Sequence, residues 1–173
     1  TWEGDRGMDV APEPDGDENN PYYETIEFVA AGDVTNAEQQ TLSIVRYHQV
    51  VRRKSNDEVF HDQVGYWLWD PADNSIVETF VIPRGVAVVA GGSAAPPAAK
   101  GEEVTLEVVS AAGSAECGVV QAPFMFKQAK TTGFTHKLTV AGDIMTYNET
   151  TLLDIYDKQS YEHTDENSLR RVG

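Results

Sequence analysis

The sequence predicts an all-β protein, an antiparallel up-and-down barrel of about ten strands with at most two short helices. Three observations carry that expectation. Apolar and polar residues alternate with period two over most of the chain, turn signals recur between the alternating runs, and no stretch holds a helical period for long. The 173 residues suit one domain spanning 1–173, long enough to bury a core.

The alternating runs are Trp2–Val10, Tyr22–Ala31, Thr41–Lys54, Val59–Asp70, Ser75–Ile82, Val86–Gly92, Glu102–Ala111, Thr132–Ala141, Ile144–Tyr156 and Ser168–Val172. The polar SND before Val59 suggests a hairpin, Pro83-Arg84-Gly85 divides two strands, and Ala-Gly-Asp before Ile144 makes a short turn. Helix is scarce: Ala122–Lys130 suffices for about two turns and Val34–Gln40 for about one. Ala11–Asn20 (APEPDGDENN) reads as an acidic loop and Gly91–Lys100 (GGSAAPPAAK) as a small-residue insert. A barrel abolishes exposed sheet edges, and at this strand number its interior leaves a cavity for a ligand.

Charge narrows the partners. Against 13 Lys and Arg stand 28 Asp and Glu, a net charge of −15, which excludes nucleic acid and anionic membranes as partners. The acid excess reads as solubility or salt adaptation. A lone cysteine, Cys117, rules out an internal disulfide and a Cys-rich zinc module. It fits a reducing compartment, so the expected location is cytoplasmic. No run approaches the roughly 20 apolar residues of a membrane span. Phosphate-loop, nucleophile-elbow and zinc-protease motifs are absent from the sequence.

Four histidines remain as candidates, and no two share a local chelating spacing. His48, His61 and His136 fall within expected strands and read as hydrogen-bonded wall residues. His163 falls in a polar connection, EHTDEN, where an exposed loop histidine and a ligand are both open readings. In Tyr66-Trp67-Leu68-Trp69, alternation puts both tryptophans on one face.

Five segments, in order, resemble the nitrobindin-like haem-binding β-barrels, which look like fatty-acid-binding proteins in outline. TWEGDRG is similar to that family's opening motif, though with one extra residue. FHDQVGY (Phe60–Tyr66) resembles its central block, with Gln63 where the family has Glu. IPRG (Ile82–Gly85) resembles its H-P-x-G turn, and LTVAGDIMTYNET (Leu138–Thr150) its penultimate hairpin. His163 with Leu169-Arg170-Arg171-Val172 resembles its terminal segment, the histidine standing six residues before the leucine instead of five.

The resemblance implies ferric haem b as cofactor, held through one axial histidine, which maps onto His163. It places Phe60 and His61 on the opposite wall and makes Ile82 an apolar substitute at a polar-or-His position. It further implies reversible NO binding and isomerisation of peroxynitrite to nitrate, and a barrel plug in which Trp2 meets Arg170 or Arg171. The competing reading is a haem-free, lipocalin-like carrier of a small apolar ligand. In either case the partner is a small molecule.

Overall fold

The period-two pattern closes on itself. A computed structural model, describing Thr1–Gly173, contains eleven strands and one short helix. The strands are β1 (Trp2–Glu13), β2 (Gly16–Asn36), β3 (Gln40–Arg53), β4 (Val59–Trp69), β5 (Ser75–Ile82), β6 (Val86–Ser93), β7 (Val104–Ala111), β8 (Val119–Gln121), β9 (Ala129–Ala141), β10 (Ile144–Ile155) and β11 (Lys158–Arg171). The helix, α1, covers Pro123–Gln128.

All pairings are antiparallel. From β5 the sheet runs through β4, β3, β2, β1, β11, β10, β9 and β7 to β6, and a β5–β6 ladder seals it. Ten strands make the ring, and β8 is the eleventh. At the seam β6 changes partner, from β7 at Gly91 and Gly92 to β8 at Val86–Val88. No helix is long and apolar enough to cross a membrane.

Two bulges decide what faces inward. The extra residue of the opening motif is absorbed in β1, where pairing to β2 jumps between Gly4 and Gly7 and pairing to β11 between Glu3 and Met8. This resets the alternation, so Trp2, Gly7 and Asp9 are all buried. Gly7 is required there, because a Cβ would lie 2.0 Å from the Tyr22 ring. In β4, Val51 pairs His61 and the next residue, Arg52, pairs Val59, which leaves Phe60 as the inserted residue. Gly65 of the same block makes room for Tyr47, whose ring would come within 2.7 Å of an added Cβ.

The buried core includes Trp2, Ile26, Tyr47, Trp67, Phe80, Phe134, Leu138, Met145 and Leu169. As alternation required, Trp67 is buried and Trp69 packs against the core, while Tyr66 is exposed. Arg171 lies over the Trp2 ring, 4.9 Å from its centre, so Arg171 is the arginine of the plug.

Several segments differ from the sequence expectation. Ala11–Asn20 is no loop: β1 and β2 continue through it as a hairpin. The Lys158 ammonium bonds the carbonyls of Glu13 and Gly16, and Tyr161 donates to Asp17. Val34–Gln40 forms no helical turn but the end of β2 and a hairpin turn. The expected last strand, Ser168–Val172, is the tail of the much longer β11. His163 is therefore a strand residue paired with Thr151, not part of a flexible connection.

A polar partition divides the barrel interior. Glu78, at the centre, accepts hydrogen bonds from Tyr47 (2.7 Å) and from His136 Nδ1 (2.8 Å). Beside it, Glu24 accepts from Gln49, Tyr147 and Asn167 at 2.6–2.9 Å. On one side lies a cavity of about 260 Å³ lined by His163. On the other, an apolar hollow of about 520 Å³ opens between Trp67, Trp69, Ile76, Pro96 and Pro97.

Candidate functional site

Register builds the site. His136 on β9 stands opposite Glu149 on β10, Glu149 opposite Asp165 on β11, Asp165 opposite Asp9 on β1, and Asp9 opposite Asn20 on β2. Five neighbouring strands thus contribute one row of polar residues on the inner face. His163 lies two residues before Asp165, hence on the same face. Its six-residue separation from Leu169 keeps both inward, since β11 pairs without a break from Tyr161 to Arg170.

Like charges placed opposite one another across strands repel, and the carboxyls of the row are shifted apart in proton affinity. Burial pulls the Asp9 carboxyl upward, but the hydrogen bond and charge of His163, with Asn20, hold it below its ordinary value. Asp165 is pushed well up by burial and by Glu149. Glu149 makes no hydrogen bond; burial, opposed by His136 and reinforced by Glu78, raises it to about 7. Within the row, the charged form is favoured at Asp9 and the neutral form at Asp165.

His163 Nε2 lies 2.5 Å from Asp9 Oδ1 and 3.6 Å from Asp165. Asn20 Nδ2 donates to the other Asp9 oxygen at 2.8 Å. A carboxylate only accepts, so Nε2 carries a hydrogen, and Nδ1 makes no hydrogen bond within the chain. Burial opposes the charge on this imidazole, but Asp9, Asp165 and Glu149 override it and raise the His163 pKa. One donor atom each from Asp9, His163 and Asp165 lie within 4.8 Å of one another.

The β4 bulge shapes another part of the wall. It lets two consecutive residues, Phe60 and His61, line the same cavity, together with Ile82 from β5. The state of His61 follows from its partners. Tyr47 gives its proton to Glu78, so its oxygen accepts from Gln63 Nε2 at 2.6 Å. The Gln63 carbonyl then faces His61, whose Nε2 must donate across 3.1 Å. Burial lowers the His61 pKa, which favours the neutral imidazole.

The remaining histidines are placed elsewhere. His48 is on the outer surface beside Asp62. His136 is buried against Glu78, with Nε2 unpartnered. Burial alone would lower its pKa, but Glu78, Glu149 and Glu24 raise it to about 9. Of the methionines, Met145 is a core residue and Met125 lines the cavity wall. All four residues singled out from the sequence, Phe60, His61, Ile82 and His163, line the one cavity. Sequence reasoning missed Asp9, Asn20, Arg53, Arg84, Glu149 and Asp165, which line it too.

The donor set fits haem. A porphyrin needs apolar walls, an axial nitrogen and a polar outlet for its carboxylates. Phe80, Val86, Val88, Phe134 and Leu153 offer apolar walls, His61 and His163 imidazole nitrogens, and Arg53 and Arg84 cations. Arg53 Nε is buried and has no partner. The enclosed volume is about 260 Å³, less than a whole macrocycle, so a bound haem would keep one edge at the mouth.

A closed β-barrel with such a cavity defines a small-molecule-binding barrel protein. The chain belongs to the family described as "THAP4-like, heme-binding beta-barrel domain", whose model matches residues 1–171. Haem is the cofactor of that domain. Among solved structures, this chain is similar to Rv2717c from M. tuberculosis, with a TM-score of 0.69 and 17% identity over 99% of this chain and 91% of that one. That likeness concerns the fold. No curated protein matches the sequence.

Proposed function

We propose that this barrel holds ferric haem b with His163 as the only protein ligand of the iron, and that it binds NO reversibly and isomerises peroxynitrite to nitrate. The observation that carries this reading is the group behind each of the cavity's two histidines. His163 Nε2–H is held by the Asp9 carboxylate at 2.5 Å. His61 faces only the neutral amide of Gln63, at 3.1 Å.

Haem, when bound, supplies the iron at which NO binds and peroxynitrite rearranges. The chain's own residues do the rest. Asp9, itself held by Asn20, orients His163 and makes its imidazole a stronger donor, as carboxylates behind metal-bound histidines do. The Asp9 carboxylate behind His163 favours the more positive, ferric state. Phe60 and Ile82 give apolar surface to the wall beside His61. A haem-free carrier of a neutral apolar ligand accounts for none of the carboxylate row.

The test is stopped-flow mixing of the haem-loaded protein with peroxynitrite, with nitrate and nitrite quantified. The reading predicts faster decay and a higher nitrate fraction than with free haemin, and a reversible spectral shift with NO. Decay no faster than with free haemin would refute the isomerase assignment.

A further inference from the structure

Arg53 and Arg84 are two cations on the wall of a cavity in a strongly acidic chain. Each continues the inward parity of its strand: Arg53 follows Tyr47, Gln49 and Val51 on β3, and Arg84 follows Phe80 and Ile82 beyond β5. Both converge on the Phe60 bulge. Arg84 donates to the Phe60 carbonyl at 3.0 Å. The Arg53 guanidinium lies over the Phe60 ring, 4.9 Å from its centre.

Arg53 has no hydrogen-bonding use in the folded chain. Not one of its side-chain N–H groups donates, Nε is buried without a partner, and the nearest carboxylate, Glu18, stays 3.9 Å away. Glu18 is already engaged by Asn20. A guanidinium stacked by its face on an aromatic ring leaves its edge free, and that edge matches a carboxylate through two parallel hydrogen bonds. A buried, unmet donor is costly unless a ligand satisfies it.

We infer that Arg53 is a carboxylate-binding group of the cavity mouth and receives a propionate of the bound haem, with Arg84 adding charge beside it. This rests on the haem reading above and extends it to orientation. The row of Asp9, Glu149 and Asp165 lies on β1, β10 and β11, and the arginines belong to β3 and the β5–β6 turn. The two arginines therefore stand apart from the carboxyl row, and the cavity suits a ligand with anionic substituents at one edge.

The test compares haemin with haemin dimethyl ester, which lacks both carboxylates, in the wild-type protein and in Arg53→Leu and Arg53→Lys. Transfer to an apo-haem acceptor gives the dissociation rate. Arg53→Leu should release haemin at least about tenfold faster, the scale of a charge-assisted hydrogen bond, and release the ester at the wild-type rate. Arg53→Lys should fall between, keeping the charge but not the fork. Equal losses for both ligands would mean that Arg53 only supports the bulge, and no loss for either would mean that it meets no carboxylate; both results overturn the inference while haem binding stands. Failure of the wild-type protein to take up either ligand would instead refute the haem reading, and this inference with it.

Discussion

His163 and Asp9 meet across the β11–β1 seam, with Nε2 2.5 Å from Oδ1. The contact exists because a one-residue bulge in β1 turns Asp9 inward. On the proposed reading, Asp9 is a positioning residue for His163. Asp9→Ala should weaken haemin binding by about 10–100-fold, the usual cost of losing the group behind a metal-bound histidine. Asn20→Ala, which loosens only the other Asp9 oxygen, should do less. Haemin titrations followed by absorbance measure both, and an unchanged Asp9→Ala affinity would remove Asp9 from the account.

The Glu78–His136 pair is a buried ion pair, with relative side-chain exposures of 0% and 9%. Removing one partner strands a charge. Glu78→Leu alone should cost about 3–5 kcal/mol in urea unfolding, and adding His136→Phe should recover most of it. A double variant as unstable as the single one would show that the pair contributes more than mutual neutralisation.

The same pair sets a pH dependence. The His136 pKa is about 9 in the fold against 6.5 as the ordinary value. The folded state therefore binds more protons between these values, and stability falls as pH rises through that window. Glu149, raised to about 7 from 4.5, acts in the same direction at lower pH. Melting temperatures should decline from pH 6.5 to 9.5, by a stability change on the order of 2 kcal/mol. In His136→Gln the decline above pH 7 should be much shallower. A wild-type curve that rises with pH would contradict these assignments.

At the Trp2 end, the plug gives an asymmetric prediction. Arg171 stacks on Trp2, whereas Arg170 is exposed. Arg171→Ala should cost about 0.5–1 kcal/mol, the lower range for a half-exposed cation–π contact, and Arg170→Ala close to nothing. Thermal denaturation of the two variants decides it, and equal losses would refute the stacking role.

Much of the barrel was legible because an antiparallel wall writes its inner face into every second residue. β3, β4 and β10 could be read almost to the residue on that basis. The pattern vanished where the inner face is itself polar. In β11 the inward positions are His163, Asp165 and Asn167, so a strand carrying the site looked like a loop. The acidic hairpin was hidden for another reason: its support comes from Lys158 and Tyr161, remote in sequence. Phe60 and His61 were recognised by resemblance, but only the bulge explains how neighbours share one cavity. Asp9 required two facts that no local pattern supplies, the bulge that turns it inward and the strand it faces.

The central claim is that His163 is the iron's protein ligand and His61 is not. Titrating haemin into wild-type, His163→Ala and His61→Ala proteins, with folding checked by circular dichroism, tests it most directly. The account predicts a Soret band of bound haem in wild type and in His61→Ala. It predicts loss of that band in His163→Ala, with recovery on adding free imidazole. Loss of the band in His61→Ala with retention in His163→Ala would contradict the account and exchange the roles of the two histidines.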